Sequence, residues 1–255
     1  MLIFINSKKD IYTNKNKSFL NIKMGPTLSS NNEKPIHRSN YNYKTSKGKE
    51  TIFIIDWDDT LMCTTFISRK VSGLSDDEQY IVSNLGKVVS NFLKECNKYG
   101  KIIIMTNSSK EWIKKTTTEY LKISHESFDN IAIISTRDRY LKKGIEKKKW
   151  KELALDDLIA KYKEKIQNLI CVSDSEKDID VFKNLSTKNK EINISTIKFK
   201  TKPSPLIMIK EIKYLNDMMN EVIGKNKNYY LFKEKQKNDD FNLSFGSFLD
   251  YIFPN

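Results

Sequence analysis

No apolar run in this chain approaches the roughly 20 residues that a membrane-spanning helix needs, so nothing in it reads as a transmembrane segment. The opening Met1-Leu2-Ile3-Phe4-Ile5 is too short for the core of a secretory signal and runs directly into Asn, Lys and Asp. Cysteine is scarce. Cys63, Cys96 and Cys171 are far apart and odd in number, which excludes a disulfide framework or a zinc site and suits a reducing cytosolic or nuclear setting. The two histidines, His37 and His125, fall outside every motif described below and are assigned no role. Acidic residues are in deficit, 32 against 45 basic ones, for a net charge of +13. Such a charge can mark an anionic partner, nucleic acid or phosphoprotein among them. Here lysine and asparagine are abundant along the whole chain, so the excess reads as compositional bias and dedicated nucleic-acid binding is disfavoured.

A length of 255 residues allows one sizeable domain with tails or two small ones. With 38% hydrophobic residues, a core forms only if part of the chain stays outside it. Residues 1–48 are rich in Asn, Lys and Ser without apolar periodicity and read as a disordered basic arm. From Thr51 short apolar runs alternate with amphipathic stretches, the pattern of an α/β domain with a parallel sheet. Strands are expected at Thr51 to Ile55, Lys101 to Met105, Ile131 to Ile134, Leu169 to Val172 and Ile192 to Phe199. Helices are expected at about 77–98, 109–122, 150–163, 175–185, and from Pro203-Ser204-Pro205 to about 223. The domain therefore spans 49–224. Residues 225–255 form a charged and aromatic tail that either docks back on the domain or binds a partner.

Chemistry collects at the strand ends. After the first strand come Asp56 and Asp58, one residue apart; after the second, Thr106 and Asn107; after the fourth, Asp174 and Asp178. Lys147 to Lys151 heads the helix before the fourth strand. In a right-handed parallel sheet these strand ends gather at one edge, where open α/β folds bind their ligands. One carboxylate of the first pair can attack while its neighbour handles a proton, and both can help bind a cation. Carboxylates with a hard dication, small donors and a lysine suit a phosphoryl group.

This set, in this order over residues 50–224, resembles the haloacid-dehalogenase-like (HAD) superfamily of phosphotransferases. Asp56, Asp58 and Thr60 meet its Asp-x-Asp-x-Thr motif, Thr106 its second, and Asp174 with Asp178 its fourth. The Asp56-Trp57-Asp58-Asp59-Thr60-Leu61 opening, with Trp150-Lys151 and Lys202-Pro203-Ser204, is similar to a group of plant and protist HAD-like proteins. That match favours Lys151 as the third-motif lysine, with Lys149 the alternative. The resemblance implies a three-layer Rossmann-like fold with a five-stranded parallel sheet. It implies that Asp56 forms an aspartyl-phosphate and that Asp58 is the acid and base. It further implies Mg²⁺ held by Asp56, the Asp58 carbonyl and Asp174, with Asp178 binding directly or one layer out. Thr106 and the Asn107 backbone N–H would hold a phosphoryl oxygen, and Lys151 would neutralise the transition state. Asp59 stands where many relatives have glycine and reads as a turn and cap residue.

The intervals from Asp58 to Thr106 and from Thr106 to Lys151 are too short for a large cap domain, so an open, uncapped site is expected. Uncapped relatives often act on macromolecules, whose bulk shields the site from water. A phosphoprotein is therefore the expected substrate, with a phosphorylated sugar or nucleotide as the alternatives. A different class is a catalytically weak phosphate-binding module that works through its arm and tail. The presence of Asp58 argues against it.

Overall fold

The computed structural model describes residues 50–128, 131–225 and 228–230; the expected basic arm and the tail beyond 230 lie outside the described residues. In chain order the elements are β1 (Glu50–Ile55), α1 (Thr64–Ser68), α2 (Asp76–Tyr99), β2 (Lys101–Thr106), α3 (Lys110–Glu119), β3 (Ala132–Ser135) and α4 (Thr136–Tyr140). There follow α5 (Trp150–Tyr162), β4 (Ile166–Ser173), α6 (Glu176–Lys188), β5 (Asn193–Lys198), α7 (Pro205–Asp217), α8 (Met219–Val222) and β6 (Asn228–Tyr230). All strand pairs are parallel, in the order β3-β2-β1-β4-β5-β6. From β1 at the centre of the sheet the chain builds one flank, then crosses back beside β1 to build the other.

Strand alternation sends neighbouring side chains to opposite faces. Phe53 and Ile55 join a core layer with α2 and α7, while Ile52 and Ile54 join the layer under α5 and α6. Both faces are therefore apolar, which is why these strands read as continuous hydrophobic runs. Helix α2 starts at a capping box, in which the Ser75 side chain and Glu78 satisfy each other's backbone N–H groups. Helix α7 starts with Ser204 as cap and Pro205 in the first turn. Gly86 of α2 packs so tightly that a β-carbon there would sit 1.8 Å from the Leu121 carbonyl oxygen. On an exposed helix, Gly→Ala gains about 1 kcal/mol. Here the clash is with backbone, which yields poorly, and overpacking of this kind costs about 1–3 kcal/mol or more. Gly86→Ala is expected to lower the urea midpoint; an unchanged or raised midpoint would show that the two segments can separate freely.

The fold departs from expectation in four places. The expected helix over 109–122 ends at Glu119, because the Thr116, Thr117 and Thr118 hydroxyls bond back to carbonyls three and four residues earlier and compete with the ladder. The last helix breaks at Met218 into α7 and α8. Two short helices, α1 and α4, occupy expected loops. A sixth strand, β6, adds to the five-stranded sheet and carries the folded domain past 224 into the expected tail. Neither interval expected to lack a cap holds a separate domain among the described residues. Among those residues no helix is long and apolar enough to cross a membrane.

Candidate active site

The carboxyl ends of β1, β2 and β4, with the start of α5, surround a cleft of about 340 Å³. Asp56, Asp58, Asn107, Lys151, Asp174 and Asp178 line it, joined by Asp59, Thr64, Ser108, Trp112, Lys147 and Ser175. A larger groove of about 640 Å³ opens at the opposite end of β1 and β2, but apolar residues such as Ile52, Ile103 and Leu158 floor it. Charged side chains such as Glu50, Lys101 and Asp157 also line that groove, whereas the buried Asp56, Asp174, Asp178 and Lys151 face the smaller cleft.

The β1 end is shaped by its own backbone. The Asp56 N–H donates to Val172 O at 3.0 Å, continuing the β1–β4 ladder by one step. The chain then turns so sharply that Trp57 O accepts from the N–H groups of Thr60, Leu61 and Met62. The Trp57 side chain is fully buried and anchors the turn through Nε1–H to Thr116 Oγ1 at 3.1 Å. Asp59 has φ 54, a left-handed conformation that favours glycine. Its carboxylate accepts from the Thr65 N–H at 2.8 Å and so caps α1. It therefore acts in the turn and cap role.

Part of the cleft lining is a buried ion cluster. Lys151, only 5% exposed, places its Nζ 2.8 Å from Asp56 Oδ2 and 2.5 Å from Asp178 Oδ2. Lys149 is exposed and caps α5 without a side-chain bond, so of the two candidate lysines only Lys151 reaches the aspartates. Ser173 Oγ, at the end of β4, donates to Asp178 Oδ2 at 2.7 Å and more weakly to Asp56 Oδ2 at 3.5 Å. One ammonium thus serves two carboxylates. Burial pushes Asp56 up to about 8; Lys151 opposes the rise and Asp178 adds to it. For Lys151 burial favours the neutral amine, but Asp56 and Asp178 outweigh it and raise its pKa, so it stays an ammonium. Asp174 is pushed up to about 6 by burial, with Asp59 adding and Lys151 opposing. Its backbone is pinned on both sides, N–H to Thr60 Oγ1 at 3.0 Å and carbonyl from Thr201 Oγ1 at 2.9 Å.

Asp58 is held differently. Its Oδ1 accepts from Thr64 Oγ1 at 2.6 Å and from the Trp112 indole N–H at 2.9 Å. Its Oδ2 accepts from Ser108 Oγ at 2.6 Å and Thr106 Oγ1 at 3.2 Å. Thr106 is fully buried and does not line the cleft, so its hydroxyl faces Asp58 from beneath. The hydroxyl that reaches the cleft beside Asn107 is that of Ser108. Sequence reasoning missed Ser108, Thr64, Ser173 and Trp112. Ser108 could have been found, since a hydroxyl two residues past Thr106 returns to the same side, and so could Ser173, which precedes Asp174. Thr64 and Trp112 carry no such signal. Cys63 is buried and its thiol is pushed up to about 12 by burial, which leaves it a packing residue.

Asp56, Asp174 and the Asp58 carbonyl are hard oxygen donors of the kind Mg²⁺ takes. Among the described residues no cluster of three metal-binding side chains is ready-made. Mg²⁺ does not require one, because it keeps several waters and uses one or two carboxylates plus substrate oxygens. Burial pushes Asp56 and Asp174 upward, and a dication beside them would favour their ionised forms. The residues therefore fit Mg²⁺. Asp178, with Oδ2 given to Lys151 and Ser173, is engaged in holding the lysine.

Comparison with curated proteins finds no match. Among solved structures, the Legionella pneumophila effector Ceg4, crystallised with an N-terminal TEV protease cleavage sequence, is 15% identical with a TM-score of 0.43. The match covers 71% of this chain and 98% of that one. The HAD domain of the Legionella pneumophila effector protein Lem4 is 18% identical with a TM-score of 0.39, over 69% of this chain and 96% of that one. Residues 51–192, which carry Asp56, Asp58, Thr106, Lys151, Asp174 and Asp178, match the NLI interacting factor-like phosphatase family, and the chain belongs to that family within the HAD superfamily.

Proposed function

We propose that the protein is a Mg²⁺-dependent phosphomonoester hydrolase working through an aspartyl-phosphate, at an open site suited to a phosphoprotein. The observation that carries this reading is one cleft in which Asp56 meets Lys151 at 2.8 Å while Asp58 is oriented beside it by four donors. In the first half-reaction an Asp56 carboxylate oxygen bonds to phosphorus as the bond to the leaving oxygen breaks, and Asp58 gives that oxygen its proton. In the second, a water oxygen bonds to phosphorus, Asp58 takes the water's proton, and phosphate leaves Asp56. The Lys151 ammonium would offset charge on the phosphoryl oxygens, the Asn107 backbone N–H would donate to them, and so would Ser108 once a protonated Asp58 frees its hydroxyl. Bound Mg²⁺ would add the charge that favours ionised Asp56 and screens the phosphate from it. Three buried free thiols support a reducing compartment, cytosol or nucleus.

The test is hydrolysis of p-nitrophenyl phosphate in Mg²⁺ and in EDTA, by wild type and Asp58→Asn. Chelation is expected to remove activity, and Asp58→Asn to lower kcat by about 10²–10⁴-fold, the usual contribution of general acid–base catalysis. Equal, negligible rates throughout would leave the phosphate-binding module.

A further inference from the structure

We propose that Trp112 is a positioning residue that decides which oxygen of Asp58 carries the proton in transit, namely Oδ2. The inference rests on the reading of Asp58 as acid and base. The two sides of its carboxylate are chemically unequal. Oδ2 faces Ser108 and Thr106, both hydroxyls. A hydroxyl can rotate, stop donating, and accept a hydrogen bond from a protonated Oδ2. Oδ1 faces the Thr64 hydroxyl and the Trp112 indole N–H. The indole N–H is a donor only and cannot turn its hydrogen away. In a neutral carboxyl the hydroxyl oxygen is a poorer acceptor than the carbonyl oxygen, so the fixed indole N–H favours Oδ1 as the carbonyl oxygen and leaves the proton to Oδ2.

Trp112 is well fixed for this task. Its backbone N–H donates to Ser109 Oγ at 3.2 Å in the first turn of α3, and its half-buried ring packs against the core layer under α2. Thr64 cannot substitute for it. Its hydroxyl rotates, with Met62 O at 3.4 Å as a second acceptor, so it tolerates a proton on Oδ1. The proton balance closes on one oxygen: Oδ2–H passes to the leaving oxygen as the Asp56–phosphorus bond forms, and Oδ2 recovers a proton from water as that bond breaks.

The test compares two aryl esters by kcat/KM, which reports the first half-reaction. Phenolate, with a conjugate-acid pKa of about 10, needs the proton on leaving, whereas p-nitrophenolate leaves with little help. Trp112→Phe and Trp112→Met, which lack the N–H and differ in size, are each expected to lose roughly tenfold on phenyl phosphate. On p-nitrophenyl phosphate both are expected to stay within about twofold of wild type. Thr64→Val, which leaves Trp112 untouched, is expected to keep the wild-type ratio of the two substrates. Equal losses on both esters in the Trp112 variants, no loss at all, or a selective loss in Thr64→Val would each overturn the proposal. Failure of the underlying reading is separate: Asp58→Asn would then hydrolyse phenyl phosphate as fast as wild type.

Discussion

Asp56→Asn is expected to abolish phosphomonoester hydrolysis, on the order of 10³-fold or more as for other covalent nucleophiles, while leaving the protein as stable as wild type or more so. The two halves of that expectation have different causes. An amide has no oxygen able to take and release the phosphoryl group as the proposed carboxylate nucleophile does, so turnover is expected to stop. Stability follows the charge balance in the cleft lining. Lys151 touches both Asp56 and Asp178, and loses only one of them on substitution. Burial has pushed Asp56 from 3.8 up to about 8, so folding favours its protonated form. A folded pKa above the unfolded one means that this group's contribution is fully present below about pH 3.8 and is lost as pH rises through about 8. In EDTA, wild type is therefore expected to lose stability between those limits more steeply than Asp56→Asn. Urea midpoints at pH 5 and pH 8 measure the difference. A variant clearly less stable than wild type at pH 8 would show that the carboxylate is a net stabilising partner of the lysine.

Lys151→Met should also lose activity, but with the opposite effect on the fold. Methionine is close in volume and apolar, so packing is preserved, yet two buried carboxylates lose their shared cation. Breaking a buried ion pair by removing one partner typically costs about 3–5 kcal/mol. With Asp56 at the end of β1 and Asp178 in the first turn of α6 both deprived of that cation, the upper part of that range is expected. Without the lysine, burial presses Asp56 further towards its neutral form, so the penalty shrinks as it takes up a proton. The gap in melting temperature between wild type and Lys151→Met is expected to narrow from pH 8 to pH 5. A gap that widens on acidification would mean that the lysine stabilises by packing its stem and not by its charge.

Much of this architecture was legible in the amino-acid order. The β-branched runs at Ile52–Ile55 and Leu169–Val172 announced strands, and the carboxylates that follow them announced the cleft edge. The ambiguity between Lys149 and Lys151 was not resolvable there, because both sit at the turn into α5 and differ only in which way the helix points them. Thr106 was named and Ser108 could have been, but the convergence of four donors on Asp58 was invisible for a different reason. Thr64, Trp112, Ser108 and Thr106 meet it over separations of 6, 54, 50 and 48 residues, set by how α1, α3 and β2 dock and not by any local pattern. Helix α1 escaped notice because its five residues are too few for periodicity to register. Strand β6 is three residues long and exists only because β5 offers it an edge.

The strand order also sets a schedule for synthesis. β1 lies at the centre of the sheet, but its partner on one side, β4, is contributed by residues 166–173. Asp56 leaves the ribosome 117 residues ahead of Ser173, the β4 residue that meets its carboxylate. Throughout that interval, of its two described neighbours only β2 is available to β1, and the edge that β4 will take waits, as does the apolar surface that α6 later covers. Open edges and uncovered apolar surface are what chaperones bind and what aggregates. The nascent chain is thus most vulnerable while its first hundred folded residues await the return crossing, and translation pauses within that stretch would lengthen the exposure. The phosphate cleft, built across the crossing, comes into being only when that vulnerability ends.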